Sequence, residues 1–351
     1  MSYHHCALVL PALFLFAACG AEASTDAPVG TGGESSPTIY VALDQEFSAP
    51  LLDRFASELG ITVNQKHDSE SSKTIGHVSR IKEERNAPRC SVFWNNEIAN
   101  TAHLASEGLL EPYRSPAAEG LPLRFCDPEG RWIGFAARAR ILIVNTELLP
   151  DRKDWPSSYK DLTDPKWKGR CAIAMPLLGT TLTHFTALSK ILGDQGLDDY
   201  ITAMQENDVK FLPSNGATMR EVRDGKLAFA FTDTDDYHVA KTKGFPVACV
   251  FPDQGEGEIG TMLIPNSVCL IKGGPATENG KRLIDKIVSQ QTEALLAAAD
   301  SAQIPLRPSV KGPADPAIKA VGAFREMDWD VQWTGDNIAR CSQHFGKRFG
   351  R

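Results

Sequence analysis

Alternation between strand-like and helix-like segments is the feature of this sequence that most restricts its fold. From Thr38 a strand-like run, TIYVAL, is followed by a loop, by the helix-like segment Leu51–Gly60 and by a second strand-like run, ITVNQ. Apolar residues in the middle segment recur at helical spacing, and Gly60 ends that pattern. An opening of this kind predicts a β-α-β unit, and with it an α/β fold containing parallel strands.

Similar units recur along the chain and predict two α/β domains. Strand-like runs lie at CSVFW, RWIGFAAR, ILIVNT, CAIAMP, VKFLP and LAFAF, with helix-like segments between most of them. A chain of 351 residues is long enough for two domains. We expect the chain to cross between them near Ile143–Asn145 and again near Leu263–Pro265, which leaves a ligand cleft between the domains.

The N-terminal residues predict export. Residues 1–18 contain an apolar segment of signal-peptide length, too short to span a membrane. Phe16-Ala17-Ala18-Cys19 resembles a bacterial lipobox, in which the cysteine is lipidated, and a plain secretory signal with an incidental Cys19 is the alternative. Residues 19–37 are rich in Gly, Ser, Thr and Pro, which predicts a flexible tether.

The net charge restricts the classes of partner, and the cysteine content bears on whether the protein contains disulfides. A net charge of −7 without any run of basic residues argues against nucleic acid as a partner. Beyond Cys6 and Cys19, six cysteines remain, at positions 90, 126, 171, 249, 269 and 341. An even number in an exported protein favours disulfides, whereas their apolar surroundings favour buried free thiols, and both interpretations remain open.

An acidic cluster follows one of the apolar runs. Leu227–His238 reads LAFAFTDTDDYH, so Asp233, Asp235 and Asp236 stand at the carboxyl end of a predicted strand. Ligands of open α/β sheets bind at such strand ends. The carboxylates suit a hard metal cation, or an organic cation such as a polyamine or thiamine. The alternative is that they only cap the turn or helix that follows.

Catalytic sequence motifs are missing from the chain. Gly255–Gly260 matches the pattern GxGxxG, but a strand-like run follows it instead of a helix, and its two glutamates would repel a pyrophosphate. The sequence contains no GxSxG, HExxH or phosphate-loop motif. The sequence therefore gives no support for a hydrolase, a metalloprotease or a nucleotide-binding protein. Together with the family resemblance described below, this predicts a binding protein without catalytic residues or a catalytic cofactor. An enzyme whose aspartates hold a metal ion is the less favoured alternative.

Four longer segments carry a family resemblance: SVFWNNEIANTAHLASEGLLEPY, GRWIGFAARARILIVNTELLP, DLTDPKWKGRCAIAMP and GTMLIPNSVCLIKGGP. They resemble the ferric-iron-binding, transferrin-like branch of the two-lobed periplasmic binding proteins that serve ABC importers. The resemblance runs from about Thr38 to about Pro308. It implies a type II periplasmic-binding-protein fold, in which two α/β lobes are joined by two crossover strands with a cleft between them.

The resemblance also implies a domain plan and a role. The plan is a signal peptide at 1–18, a lipidated Cys19 with a tether at 19–37, lobe 1 at 38–144 plus 265–312, lobe 2 at 145–264, and a C-terminal helical segment at 313–351. The role is that of a monomeric periplasmic lipoprotein, held to a membrane by its lipid, that delivers its ligand to an ABC permease and ATPase. The implied cargo is iron(III) or another hard metal cation with carbonate or phosphate as a synergistic anion. An organic cation, or an oxyanion such as phosphate or a phosphonate, is the alternative cargo.

The implied metal ligands differ from those of the family at every position. The family's adjacent tyrosines align with Thr234-Asp235 or with Asp235-Asp236, and Tyr237 is the remaining phenol. Its histidine aligns with Glu46. The changes replace phenolate, imidazole or glutamate by carboxylate or amide oxygen, and the implied metal set is Glu46, Asp233, Asp235 and Asp236.

Other cleft residues follow from the same comparison. The family's glutamate ligand aligns with Asn96, and Glu97 stands beside it. Gly179, Thr180 and Thr181 match the helix start that holds the family's anion, where free N–H groups and the helix dipole attract negative charge, with a simple threonine cap as the alternative. Arg138 matches an anion-contacting arginine, Arg140 is expected on the opposite side of its strand, and Asn215 matches a cleft amide.

Overall fold

The protein is a mixed α/β structure, and the computed structural model describes residues 36–67 and 75–350. The predicted signal peptide, Cys19 and the predicted tether up to residue 35 lie outside these residues. The strands are β1 Thr38–Val41, β2 Asn64–His67, β3 Val92–Asn95, β4 Leu110–Glu111, β5 Trp132–Asn145, β6 Cys171–Ala174, β7 Lys210–Leu212, β8 Phe229–Asp233, β9 Val247–Val250 and β10 Leu263–Ile271. The helices are α1 Gln45–Leu59, α2 Ile75–Glu83, α3 Ala99–Ser106, α4 Gly179–Glu206, α5 Asn215–Arg223, α6 Thr234–Thr242, α7 Thr277–Ile287, α8 Gln290–Ala298 and α9 Val331–Arg348.

The strands form two parallel groups that meet through two antiparallel strands. Their order is β2-β1-β3-β10-β5-β8-β6-β7, with β4 attached to β10 and β9 attached to β5. Strand β1 is parallel to β2 and β3, and β6 is parallel to β7 and β8. Each group therefore has the β-α-β organisation that the alternating sequence pattern predicts, with its helices between parallel strands.

Strand β5 runs through both halves of the molecule. Residues 132–139 pair with β10, whereas residues 140–144 pair with β8 and residues 142–145 with β9. The sequence pattern predicted two strands here, and that prediction is wrong, because Arg138 and Arg140 continue the strand instead of interrupting it. The predicted crossing near Ile143–Asn145 lies within the part paired with β8 and β9, and the change of partner falls between Ala139 and Arg140.

A β-bulge at Ala136 bends β5 shortly before its two arginines. Ala136 has a φ of +35°, and the pairing register with β10 shifts between Pro265 and Asn266. A bulged residue loses its ladder partners. Here the Ala136 N–H donates to Glu293 Oε1 at 3.0 Å, and Asn266 Nδ2 donates to the Ala136 carbonyl. Side chains from other segments thus satisfy both backbone groups of the bulge.

Buried apolar side chains form two clusters. One includes Ile39, Phe93 and Val268, and the other includes Ile173 and Phe229. Helix α9 packs against α3 and α4, and it approaches α3 so closely that a Cβ on its Gly335 would lie 2.7 Å from the Ala102 Cβ. Residues 36–67 and 75–350 contain no helix with the length and apolar character needed to cross a bilayer.

The six cysteines of the described region are free thiols. Cys90, Cys171, Cys269 and Cys341 are buried, and Cys126 and Cys249 are partly exposed. The disulfide interpretation is therefore wrong and the alternative of free thiols is correct. Several of these residues lie within strands, where the thiol packs as a small apolar group, and burial raises the pKa of the Cys90 and Cys269 thiols.

Candidate functional site

A polar cavity of ≈ 200 Å³ lies where several strand ends and helix starts meet. Nine of the predicted site residues line it: Asn96, Arg138, Gly179, Thr180, Thr181, Asn215, Asp233, Asp235 and Asp236. Asp44, which directly follows the apolar run TIYVAL, also lines the cavity. The cavity lies beyond the carboxyl ends of β6 and β8, as expected for an α/β sheet.

Helix starts contribute much of the lining. Helix α4 begins at Gly179, where φ is +56°, and its N-cap residue Leu178 supplies no side-chain cap. Thr180 and Thr181 stand in its first turn and face the cavity. The first N–H groups of a helix have no acceptor inside the helix, and with the helix dipole they attract anions. The start of α4 therefore has the chemistry expected of an anion site.

Arg140 and Asp233 form a buried ion pair beneath the cavity. Arg140 Nη1 lies 2.7 Å from Asp233 Oδ1, and both side chains are almost fully buried. The expectation that Arg140 points away from Arg138 is wrong, because residues two apart on a strand share a face. Both guanidinium groups accordingly contact the aspartates of the DTDD sequence.

Arg138 contacts segments from both predicted lobes. Its Nη2 donates to the Asn96 carbonyl at 3.0 Å, and its Nη1 lies 3.3 Å from Asp235 Oδ2. Arg138 is 7% exposed, and its Nε has no hydrogen-bond partner among the described residues. Burial lowers the pKa of the guanidinium, but the surrounding carboxylates outweigh that effect and raise it overall. A permanently charged side chain with one unused donor thus lines the cavity.

The three aspartates that follow β8 are crowded together. One carboxylate oxygen from each of Asp233, Asp235 and Asp236 lies within 4.8 Å of the others. Burial raises the pKa of Asp235, although Arg138 opposes the shift. Burial and then the charges of Asp235 and Asp233 raise the pKa of Asp236 to about 8, against a hydrogen bond from Thr232 that lowers it. The cluster therefore carries fewer negative charges at neutral pH than its sequence indicates.

This crowding predicts a pH dependence of the ligand-free protein that Asp236→Asn should remove. Because the folded-state pKa is raised above the unfolded value, the contribution of Asp236 to stability is greatest in acid and is lost as the pH rises through about 8. The unfolding constant of the wild type should therefore rise relative to that of the variant by at most about tenfold per pH unit. Thermal or urea unfolding between pH 5 and pH 9 measures this difference.

The surface residue Asp194 provides the matched control. Its side chain is 64% exposed and pairs with Arg340, so Asp194→Asn should track the wild type across the same range. Parallel stability curves for Asp236→Asn and wild type would contradict a protonated Asp236.

Two predicted ligands from the first lobe lie away from the cavity lining. Glu46 is exposed in the first turn of α1. Glu97 is fully buried, and its carboxylate accepts the backbone N–H groups of Ala99 and Asn100 at the start of α3. It also accepts the Thr183 hydroxyl at 2.9 Å. The Glu97 carboxylate therefore stabilises the start of α3 and contacts α4.

Two predicted residues of the second lobe also lie outside the lining. Thr234 is buried, and its Oγ1 accepts the Ala139 N–H at 3.2 Å. Tyr237 is 2% exposed and pairs with Asp315; burial and that carboxylate raise the pKa of its phenol. Tyr237, the phenol that the resemblance left as a candidate ligand, therefore contacts Asp315 and does not line the cavity.

Sequence reasoning missed Asp44 and the function of Arg140. A signal existed for Asp44, since it directly follows the apolar run TIYVAL, and Asp233 follows LAFAF after a single threonine. The signal for Arg140 was weaker. Two arginines in an otherwise apolar strand require buried acidic partners, but the sequence does not say which ones.

Two α/β halves linked through β5 and β10, with a polar cavity lined from both, define a two-lobed solute-binding protein. Residues 100–331 match the sequence profile of a family described as bacterial extracellular solute-binding protein, and the chain belongs to that family.

The names of three similar proteins mention a ligand or a transported ion. Iron uptake protein A1 of Synechocystis sp. is 26% identical over 90% of this chain and 87% of its own length. A periplasmic protein of Salmonella typhimurium, provisionally named for binding 2-aminoethylphosphonate, is 26% identical over 82% of each chain. Iron-bound HitA of Pseudomonas aeruginosa superimposes with a TM-score of 0.77 at 21% identity, over 89% of this chain and 99% of its own.

These similarities confirm three predictions. The fold is that of the two-lobed periplasmic binding proteins. The relatives include iron-uptake and ferric-ion-binding proteins, as the resemblance implied. The family consists of solute-binding proteins, which confirms the prediction of a non-enzymatic protein.

Proposed function

We propose that this chain is the binding component of an ABC importer and that its cavity takes a small zwitterion carrying an ammonium group and an oxyanion, such as an aminophosphonate. Ligand groups on lobe 1 (38–144 plus 265–312) and lobe 2 (145–264) would favour closure of the lobes around it. The closed complex then delivers the ligand to a permease and ATPase. The observation that carries this proposal is the unpartnered Nε of the buried Arg138.

The anion half of the ligand is assigned to Arg138 and the start of α4. A buried guanidinium with one unused donor is a strong partner for an oxyanion, because charge-assisted hydrogen bonds are the strong ones. Gly179, Thr180 and Thr181 line the same cavity and add backbone N–H groups at a helix start. Carboxylate, phosphate and phosphonate all present the acceptor oxygens that these donors need.

The cation half is assigned to the acidic lining. Asp44, Asp235 and Asp236 line the cavity, and none of the described lysines does. An ammonium group donates up to three hydrogen bonds, which oxygens of Asp44 and Asp235 and the carbonyl oxygen of the protonated Asp236 accept. Once the cavity closes, the negative group of such a ligand would contact Arg138 and the start of α4, and its positive group would contact the acidic residues of the lining.

A hard metal cation with a carbonate or phosphate anion is the second candidate cargo. Its support is the clustering of three carboxylate oxygens within 4.8 Å and the iron-uptake relative. Arg140 weighs against it, because its Nη1 lies 2.7 Å from Asp233 Oδ1 and so occupies one of the three carboxylates, one that the ammonium group does not need. A positive charge so close to a bound metal ion would oppose its binding.

Export and anchoring complete the proposal. We propose that residues 1–18 are removed as a signal peptide, that Cys19 is lipidated, and that residues 19–37 tether a monomeric binding protein to a membrane. The support is the order of the apolar segment, the lipobox-like sequence and the Gly/Ser/Thr/Pro-rich stretch.

Thermal-shift and calorimetric titrations of protein purified without chelators test the cargo. We expect 2-aminoethylphosphonate to stabilise the protein more than phosphate, ethylamine, spermidine, thiamine, Mn²⁺, Ca²⁺ or ferric citrate. A ligand present at a hundred times its Kd adds about 2.7 kcal/mol to the free energy of unfolding. Asp235→Ala should abolish this stabilisation, while Asp194→Ala should leave it unchanged. Stabilisation by metal ions alone, or by none of the probes, would overturn the proposal.

A further inference from the structure

Arg140 lies beneath the cavity and is absent from its lining, yet it contacts four of the residues that form it. We propose that Arg140 is the specificity-determining residue of this site: it keeps Asp233 from serving as a metal ligand and positions the first turn of α4, whose backbone N–H groups receive the oxyanion. This inference rests on the proposed function and extends it to a residue outside the lining.

The guanidinium of Arg140 holds four segments together. Arg140 lies opposite Asp233 in the β5–β8 pairing and is fully buried. Its Nη1 donates to Asp233 Oδ1 at 2.7 Å and to the Thr180 hydroxyl and Asn215 Oδ1 at 3.3 Å each. Its Nη2 donates to the Thr181 hydroxyl at 3.2 Å. The planar fork thereby links β5, the end of β8 and the starts of α4 and α5.

Both oxygens of Asp233 are occupied as a result. Oδ1 accepts Arg140, while Oδ2 accepts the Thr180 hydroxyl at 2.6 Å and Asn215 Nδ2 at 2.9 Å. The side chain is about 2% exposed. A metal ion could use this carboxylate only by displacing a guanidinium or two hydrogen bonds, and it would then lie next to the positive charge of Arg140.

The same contacts orient the polar rim of the cavity. The Thr180 hydroxyl donates to Asp233, and the Thr181 hydroxyl donates to Asn215 Oδ1 at 3.2 Å. Each hydroxyl also accepts from Arg140, and Asn215 points its Oδ1 toward the guanidinium and its Nδ2 toward Asp233. The first turn of α4 is thus held in one arrangement before any ligand arrives, which reduces the ordering cost of binding.

Two substitutions separate the charge of Arg140 from its geometry. Arg140→Gln removes the charge, so we expect about a tenfold gain in Mn²⁺ affinity and a loss of at least about tenfold in affinity for 2-aminoethylphosphonate. Arg140→Lys keeps the charge but loses the planar fork. For that variant we expect weaker phosphonate binding with no gain for Mn²⁺. Isothermal titration calorimetry with each probe measures both affinities.

Arg131→Gln is the matched control, since Arg131 pairs with the buried Asp127 and does not line the cavity. It should bind both probes as the wild type does. Wild-type affinities for both probes in Arg140→Gln would overturn the inference. If Arg140→Gln does not fold, a gain in Mn²⁺ affinity in Arg140→Lys would overturn it equally. A wild type that does not bind 2-aminoethylphosphonate refutes the proposed cargo, and the Mn²⁺ measurements then decide the role of Arg140 alone.

Discussion

Replacing Arg138 with glutamine should weaken the binding of 2-aminoethylphosphonate by about 10- to 100-fold. The substitution removes the unpartnered Nε donor and the positive charge from the cavity. A hydrogen bond to a charged group contributes about 1.5–3 kcal/mol, and 1.4 kcal/mol corresponds to about a tenfold change in Kd. Calorimetric titration of the purified variant gives the loss directly.

Separate titrations with phosphate and with ethylamine assign this loss to the correct half of the ligand. Phosphate binding should fall as far as aminophosphonate binding. Ethylamine binding should be kept or strengthened, because Arg138 no longer competes for Asp235 at 3.3 Å. Arg131→Gln is again the control. Equal losses for phosphate and ethylamine would mean that Arg138 acts on the cavity as a whole, which contradicts its assignment to the oxyanion.

The main outline of the fold was predictable from local sequence patterns. Apolar runs such as TIYVAL and LAFAF lie within or beside β1 and β8, and Gly60 ends α1 in the left-handed conformation. These features depend on neighbouring residues, so the sequence contains the necessary information. The continuity of β5 was not predictable in this way. Arg138 and Arg140 are tolerated inside it only because Asp233 and Asp235, about a hundred residues later, pair with them.

The candidate site was predictable in its position but not in the use of each group. The DTDD sequence after β8 marked the cavity, and nine predicted residues line it. A side chain that could bind a ligand can nevertheless be used for structural hydrogen bonds or ion pairs. Glu97 accepts the N–H groups at the start of α3, and Asp233 is enclosed by Arg140, Thr180 and Asn215. Such commitments depend on contacts between distant segments, which a single sequence does not reveal.

Glu293 and Arg307 form another buried ion pair, and breaking it should strongly destabilise the fold. Arg307 Nη1 lies 2.8 Å from Glu293 Oε2, and both side chains are at most 1% exposed. Glu293 Oε1 also accepts the N–H groups of Leu306 and of the bulged Ala136. Glu293→Gln would leave a buried guanidinium without its counter-charge, a change that costs about 3–5 kcal/mol. Urea unfolding of the variant measures this cost.

A double substitution distinguishes loss of the pair from loss of packing. Arg307→Met removes the charge that Glu293→Gln leaves unpaired, so the double variant should be less destabilised than the sum of the two single variants. If the loss of unfolding free energy in the double variant equals the sum of the losses in the two single variants, Glu293 and Arg307 are not coupled. The consequence extends to the cavity, because Glu293 holds the bulge two residues before Arg138. Relaxation of that bulge would displace the strand that carries both arginines, so Glu293→Gln should also weaken 2-aminoethylphosphonate binding in the fraction that remains folded.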